Sequence, residues 1–584
     1  MSKDYKTVCI ADAMLEDIAS EITIPVISGS TSNVFSNFNS QAAKGLGQMQ
    51  FNVQIPSLST AVGRNFLVDS THELKIVFNP GPWVADQVIF SYGTTNSLQA
   101  FPFNSLINTI QSNINQSTVS VNTRNVMAAL LKMYNYEELA QYNSLCPALP
   151  DSFYLNYQDG MLSNNNVLGN YSNGSYDKKF TPRGCFPVKM FDNNNNEITS
   201  LQVKCDGNGA IPYPYITLKF QTTEPLLFLS PYVSAHANNQ ACFLGLNNLT
   251  ITANMGDATR VMSNASYGTL DAGTTDVATI SNVEYMGYSG AKLLLNFLTI
   301  PPIMYAKIEP KNVLNYNQYT SFNYTHGVSI ASKNTTVVSF NNIQLNQVPQ
   351  KMIIFARKPD SALTSYDSNS FMVIKGVSIN FGNISGLLSS ANQQQLYDMS
   401  CKNGVAMNYY EYAGTGVSNN LQGVPENVPT IGSILALDPA IDLSIDTQFS
   451  NGSAGQFNVQ FDLTLYNQSD EDFAPTLYFM VVNSGIFVTE SGQSTFTTGL
   501  LNQEVTLETK SQEAITDSHT YDKTIVGGSI ENIGGIHKHL KGAFSKVTEK
   551  EKTVDEGAGM SAAGMSGGNN LPSVRKRITK YSTN

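Results

Sequence analysis

Six histidines, six cysteines and a few acid clusters are the residues of this 584-residue chain that could carry chemistry. A zinc hydrolase needs an H-E-x-x-H helix, and a structural zinc site needs closely spaced thiolates, because the ligands must converge on one ion. His72, His236, His326, His519, His537 and His539 supply neither pattern. His537 and His539 stand two apart, so on a helix they point to different faces. The stretch "DNNNNE" (192–197) has the acidity of a calcium loop but lacks its glycine at position six and its Glu at position twelve, and reads as a hairpin tip. "GMSGG" (564–568) fits the letters of a nucleophile elbow without the flanking strand and helix that hold such a serine in place. No P-loop is present, and no glycine fingerprint follows a strand. The pattern points away from an enzyme and calls for no metal and no cofactor.

Composition narrows the alternatives. The net charge of -11 argues against a folded body that coats nucleic acid or reads its sequence. Charged residues make up 14%, low for a globular protein, and Asn, Ser, Thr and Gln fill the polar places beside 28 Tyr and 29 Phe. Such a neutral, aromatic-rich surface suits an all-β protein whose outer faces meet other protein. The cysteines (Cys9, Cys146, Cys185, Cys205, Cys242, Cys401) form no CxxC pair and read as buried free thiols of a reducing compartment. The opening residues have no apolar signal core, and no apolar run reaches the eighteen residues of a membrane span. Sequons such as Asn115, Asn334 and Asn383 follow from the Asn-rich composition.

The elements that would position these residues are mostly strands. Residues 1–40 read as an N-terminal arm. A first block, 41–284, contains "QMQFNVQIPS", "HELKIVFNPG" and "YITLKFQ", with one helix in "TRNVMAALLKMY" and long loops over 151–210. A second block, 285–510, repeats the style. Its cleanest element is "GQFNVQFDLTLY", where Phe457, Val459, Phe461, Leu463 and Leu465 alternate with polar residues, as a half-buried strand requires. "TLYFMVVNSGIFVTES" is continuous and apolar, as for a strand buried on both faces. An echo links the blocks: Ile107, Ile110 and Ile114 recur in spacing as Ile374, Val377 and Phe381, each set leading into a short helix. In the second copy Ser389 or Ser390 is the expected helix cap, Leu396 and Met399 face inward, and Gly404 stops the helix.

From about 511 the material changes. Ten Lys/Arg balance eight Asp/Glu over 511–584, and the segment reads as a flexible arm. Ile536, Leu540, Phe544 and Val547 share one face of a short amphipathic helix suited to docking on a partner. "IVGGS" and "MSGGN" resemble sites cut by adenovirus-type maturation proteases, which places the expected cuts at Gly528 and Gly568. "VRKR" (574–577) reads as a solvated basic end or a nuclear import signal.

The second block resembles the double-jelly-roll major capsid proteins of virophages, polintons (adintoviruses) and polinton-like viruses. The resemblance rests on "VSINFGNISGLLSSANQQQLYDMSCKNG", on "NYYEYAG" (408–414), and on "GSILALDPAIDLSIDTQFSNGSAGQFNVQFDLTLYNQSD". Asn383, Gly386, Leu387, Leu388, Leu396, Gly404, Gly432, Phe457, Val459 and Phe461 stand at the positions that carry it. "FPFNSLINTIQSNINQSTVSV" and "EPLLFLSPYV" correspond more loosely in the first block. Tyr410 or Tyr412 stands where relatives often have Trp.

The resemblance implies two tandem eight-stranded jelly-roll β-sandwiches with short helices and long loops. It also implies a homotrimer shaped as a pseudo-hexagon that tiles an icosahedral shell around double-stranded DNA. Neighbouring capsomers, minor capsid and penton proteins and a maturation protease are the partners it implies. Its product is a virion protein made in the host cytoplasm. The competing reading is a viral spike or carbohydrate-binding attachment protein, which would show one sandwich and an elongated repeat; no such repeat is found.

Overall fold

The computed structural model describes residues 6–10, 22–26, 36–155, 182–232, 242–271, 276–300, 302–306, 311–419, 425–443 and 451–499. Two units divide the chain, 1–537 and 538–584, and every described residue belongs to the first. Sixteen principal strands build two sandwiches. The first uses β1 (Ser36–Asn39), β2 (Gln48–Val53), β3 (Leu67–Phe78), β4 (Ile107–Ile114), β5 (Ser117–Val121), β6 (Tyr215–Pro225), β7 (Leu249–Met255) and β8 (Ile280–Leu295). The second uses β9 (Lys311–Thr325), β10 (Thr335–Gln347), β11 (Lys351–Arg357), β12 (Val373–Phe381), β13 (Ile384–Leu387), β14 (Leu435–Leu437), β15 (Ala454–Tyr466) and β16 (Thr476–Glu490).

Their pairing repeats. In the first sandwich the sheets run β1-β8-β3-β6 and β2-β7-β4-β5; in the second they run β9-β16-β11-β14 and β10-β15-β12-β13. Every strand has its counterpart eight places on, and all these pairs are antiparallel. This is the eight-stranded jelly-roll order, built twice. Short strands extend it: Lys189–Phe191 beside β6, Lys44–Gly45 on β8, and Gln493–Thr498 on β16.

The echo in sequence is an equivalence in space. Ile107, Ile110 and Ile114 are buried on β4, and Ile374, Val377 and Phe381 are buried on β12, its counterpart. Each strand turns back through a partner (β5, β13) into a helix, α1 (Thr123–Leu131) or α2 (Gln393–Lys402). Asn122 caps α1 through the amide of Asn125; Asn392, not Ser389 or Ser390, caps α2 in a capping box with Gln395.

Burial explains the two strand styles. β15 has one face in the core and one in solvent, so it alternates. β11 and the first half of β16 are buried throughout, because their sheet has core on both sides. Ile354, Phe479 and Val481 pack inward against β10, β12 and β15, while Ile353, Phe355, Tyr478, Met480 and Val482 pack toward the first sandwich.

Three expectations are corrected. The division at 284/285 falls inside β8, which pairs with β1 and β3 and belongs wholly to the first sandwich. The residues assigned to the arm include β1 (36–39) and a two-stranded hairpin, Lys6–Ile10 with Ile22–Val26. Of the cysteines, Cys146, Cys205 and Cys242 are buried, but Cys185 and Cys401 are half-buried.

Candidate functional site

The groups with chemical potential lie in structural settings. His72 on β3 is fully buried, with Ser70 Oγ 2.7 Å from its Nε2 and the Tyr285 hydroxyl 3.1 Å from its Nδ1. The rings of Phe103 and Phe220 flank it at 5.8 and 5.6 Å. Burial pushes its pKa down to about 3, so the imidazole is neutral and sealed from any substrate. Ser70 and His72 stand two apart on β3 and so share its core face, which brings the two side chains together. "DNNNNE" forms a hairpin tip: Asp192 accepts from the amides of Asn194 (2.8 Å) and Asn196 (2.7 Å) and from Asn196 Nδ2 (3.0 Å). Among the described residues no group of three His, Cys, Asp or Glu side chains converges as a metal site. No helix among them is long and apolar enough to cross a membrane. His236, His519, His537, His539, the "GMSGG" segment, Gly528, Gly568, and Ile536, Leu540, Phe544 and Val547 lie outside the described residues.

The residues singled out in the second block form a strand–turn–helix corner. Asn383 is exposed at the β12–β13 turn, after Gly382 at φ 59°. Gly386 (φ 71°) donates its amide to Asn380 Oδ1 at 3.0 Å. Leu387 and Leu388 are half-buried against the core, Leu396 is fully buried, and Gly404 adopts φ 96° just past α2. Phe457, Val459 and Phe461 lie in the same core, with Phe461 stacked 4.8 Å from Phe340. Gly432 sits at φ 94°, and a Cβ there would lie 2.0 Å from the Phe371 carbonyl oxygen, so no other residue fits without backbone movement. Of the two tyrosines in question, Tyr412 is fully buried in this core and Tyr410 is 69% exposed.

The faces of the four sheets are the broad surfaces that the fold offers for contact with protein. The outer face of β2-β7-β4-β5 carries rows across the strands: Gln50, Thr252, Gln111, Ser120 and then Asn52, Thr250, Asn113, Thr118. Not one of these is charged. The corresponding face of the second sandwich presents Val337, Ser339, Asn458, Gln460, Asp462, Thr464, Ser378 and Asn380, with Asp462 the one carboxylate in this set. Amides and hydroxyls give directional bonds at little desolvation cost, which suits contact with protein.

The other pair of sheets differs. The outer face of β9-β16-β11-β14 is covered by the first sandwich. Phe355 and Tyr478 stack there at 5.0 Å, and α1 reaches across with Asn125 Nδ2 donating to Ser321 Oγ (3.3 Å). Among the described residues, nothing comparable covers the counterpart face, β1-β8-β3-β6. It carries Asp69, Glu73, Lys75, Lys219 and Glu284, with Lys75–Glu284 at 3.1 Å and Lys219–Glu73 at 2.6 Å. Among the described residues, the same structural face is therefore apolar and closed in one sandwich, charged and open in the other.

Residues 3–298 match the family described as "Sputnik virophage major capsid protein 1st domain", and residues 316–485 match "Major capsid protein V20 C-terminal domain". The chain is similar to the putative capsid protein V20 of Sputnik virophage, at 23% identity over 565 residues, covering 93% of this chain and 89% of that one. In fold it is similar to the Sputnik virophage structure determined by cryo-EM, with TM-score 0.68, 20% identity and coverage of 86% and 95% of the two chains. It is likewise similar to the crystal structure of the mavirus major capsid protein, with TM-score 0.65, 16% identity and coverage of 86% and 98%.

Proposed function

The chain belongs to the Sputnik virophage major capsid protein family, and on that premise we propose that three copies close head-to-tail into a pseudo-hexagonal tile of an icosahedral shell. It is a structural protein of a viral capsid. What supports the tile is the doubled topology. Six equivalent sandwiches arranged in a ring need one repeated contact, made alternately within a chain and between chains. The contact within the chain puts the first sandwich, with α1, against the outer face of β9-β16-β11-β14. By equivalence, the contact between chains puts the second sandwich of one copy, on its α2 side, against β1-β8-β3-β6 of the next. Such a heterologous contact closes when the rotation per copy is one third of a turn.

The single observation that carries this reading is the difference between the two equivalent faces. The closed face is apolar and behaves as a permanent core; the open one is polar enough to be soluble in a free subunit and is suited to later, salt-sensitive docking. The two faces in which neutral polar side chains predominate, β2-β7-β4-β5 and β10-β15-β12-β13, then look outward to neighbouring tiles. Minor capsid and penton proteins, a protease acting at Gly528 or Gly568, and import through 574–577 belong to the same reading.

The test is a double charge reversal, Lys75→Glu with Lys219→Glu, set against Gln111→Lys on the uncharged face. Exposed ion pairs contribute only about 0–1 kcal/mol each to folding, so both variants should fold. The reversal should give a folded monomer by light scattering, whereas Gln111→Lys should leave the trimer whole and impair tiling. A trimer that survives the double reversal at low and high salt rejects the assigned face.

A further inference from the structure

A small polar cavity of about 20 Å³ lies where the two sandwiches join, lined by Asn104, Thr123, Arg124 and Arg260 from the first and Arg357 and Asp360 from the second. Asp360 holds two of the arginines: Arg124 Nε donates to its Oδ2 at 2.7 Å, and Arg357 Nη2 to its Oδ1 at 2.8 Å. Burial would raise the Asp360 carboxyl, but the guanidinium groups of Arg357 and Arg124 outweigh it and keep the pKa below the ordinary range. The third arginine is different. Among the described residues no carboxylate pairs with Arg260; burial and then the neighbouring Arg357 push its pKa down to about 10. Three guanidinium groups against the one carboxylate that lines the cavity leave an excess of positive charge at a partly buried site, where Arg357 and Thr123 are buried and Arg124, Arg260 and Asp360 are half-buried.

Two further groups at the cavity lack partners. Thr123 is fully buried and its Oγ1 makes no hydrogen bond, and Arg357, nine-tenths or more buried, leaves its Nε unbonded. Buried donors without acceptors cost free energy, and an unpaired buried charge costs more. A negative ion satisfies both deficits at once.

We propose that this cavity is a binding site for a small inorganic anion of chloride size, which pins the two sandwiches together. The volume exceeds the ~10–15 Å³ that one ordered water needs, so an ion slightly larger than water fits. The donors come from both sandwiches: Arg124 lies in the first turn of α1, and Arg357 ends β11. An anion held by them bridges the junction, so its binding adds to the stability of the whole chain by mass action. The proposal concerns one chain's interior and stands apart from how copies assemble.

The experiment is thermal unfolding of the full chain in sodium chloride, sodium bromide and sodium gluconate at matched ionic strength, with wild type and Arg260→Gln. Wild type should show a saturating rise in Tm with chloride or bromide over gluconate. Arg260→Gln should lose that rise, and in gluconate it should be at least as stable as wild type because a repelling charge is gone. Equal Tm in chloride and gluconate for wild type overturns the site, as does an unchanged chloride response in Arg260→Gln. Anomalous diffraction from bromide-grown wild-type crystals gives a check free of any variant. A peak among Arg124, Arg260 and Arg357 supports the proposal, and its absence there contradicts it.

Discussion

Asp151 and Arg183 meet at 2.8 Å with neither side chain exposed to solvent, and the same carboxylate accepts the Asn369 amide at 2.9 Å. Asp151 and Arg183 belong to the loops of the first sandwich and Asn369 to the second, so this buried ion pair is a joint between them. Burial would raise the Asp151 carboxyl, yet the Arg183 guanidinium and the Asn369 amide outweigh it and keep the pKa below the ordinary value. Asp151→Asn leaves Arg183 buried without its counter-charge, and we expect a loss of about 3–5 kcal/mol by denaturant unfolding. A loss under about 1 kcal/mol would mean that the joint is not structural.

His72 predicts an acid response. Its folded pKa is about 3 against an ordinary 6.5, so below pH 6.5 the unfolded chain binds a proton that the fold refuses. Stability from this group is complete above pH 6.5 and is lost as pH falls from 6.5 toward 3. At ~1.4 kcal/mol per pH unit, the loss at pH 5 is about 2 kcal/mol. Replacing His72 by Gln should flatten the stability profile between pH 6.5 and 5, measured by urea unfolding at each pH. An unchanged slope would show that His72 is accessible and protonated in the fold.

Two glycines with positive φ should respond differently to alanine. At Gly382 (φ 59°) nothing lies within 4 Å of the added Cβ, so Gly382→Ala should cost only the ~1–2 kcal/mol of the left-handed conformation. At Gly432 the added atom meets the Phe371 carbonyl, and the segment joining β14 to β12 must shift, so Gly432→Ala should cost about 4 kcal/mol or more. Comparable Tm values for the two variants would refute the close-approach argument.

The strands that show plainly in the sequence are those whose burial is uniform along their length. β15 alternates because one face meets Phe340 and Phe479 while the other meets solvent, and β11 is apolar throughout because core lies on both sides. β8 reads as a boundary in the sequence for a physical reason. Its pairing with β3 slips at three places, between Ile280 and Asn282, Tyr285 and Gly287, and Ser289 and Lys292, and each bulge resets the alternation. Gly287 (φ 111°) and Gly290 (φ 62°) sit within or beside those bulges and look like turn signals. Ser389 and Ser390 come first in the sequence as candidate caps of α2, but Asn392 gains from its reciprocal bond with Gln395. The arginine cavity had no sequence signature at all. Arg124, Arg260 and Arg357 come together only because each sandwich brings its own corner to one junction.

The central claim is assembly, and the most direct measurement is size-exclusion chromatography with light scattering on the full chain, followed by negative-stain imaging of the same peak. A trimer with a hexagonal outline is expected, one whose hold on itself weakens as salt rises. A species that stays monomeric from low to physiological salt, with no hexagonal particle in any field, would contradict it.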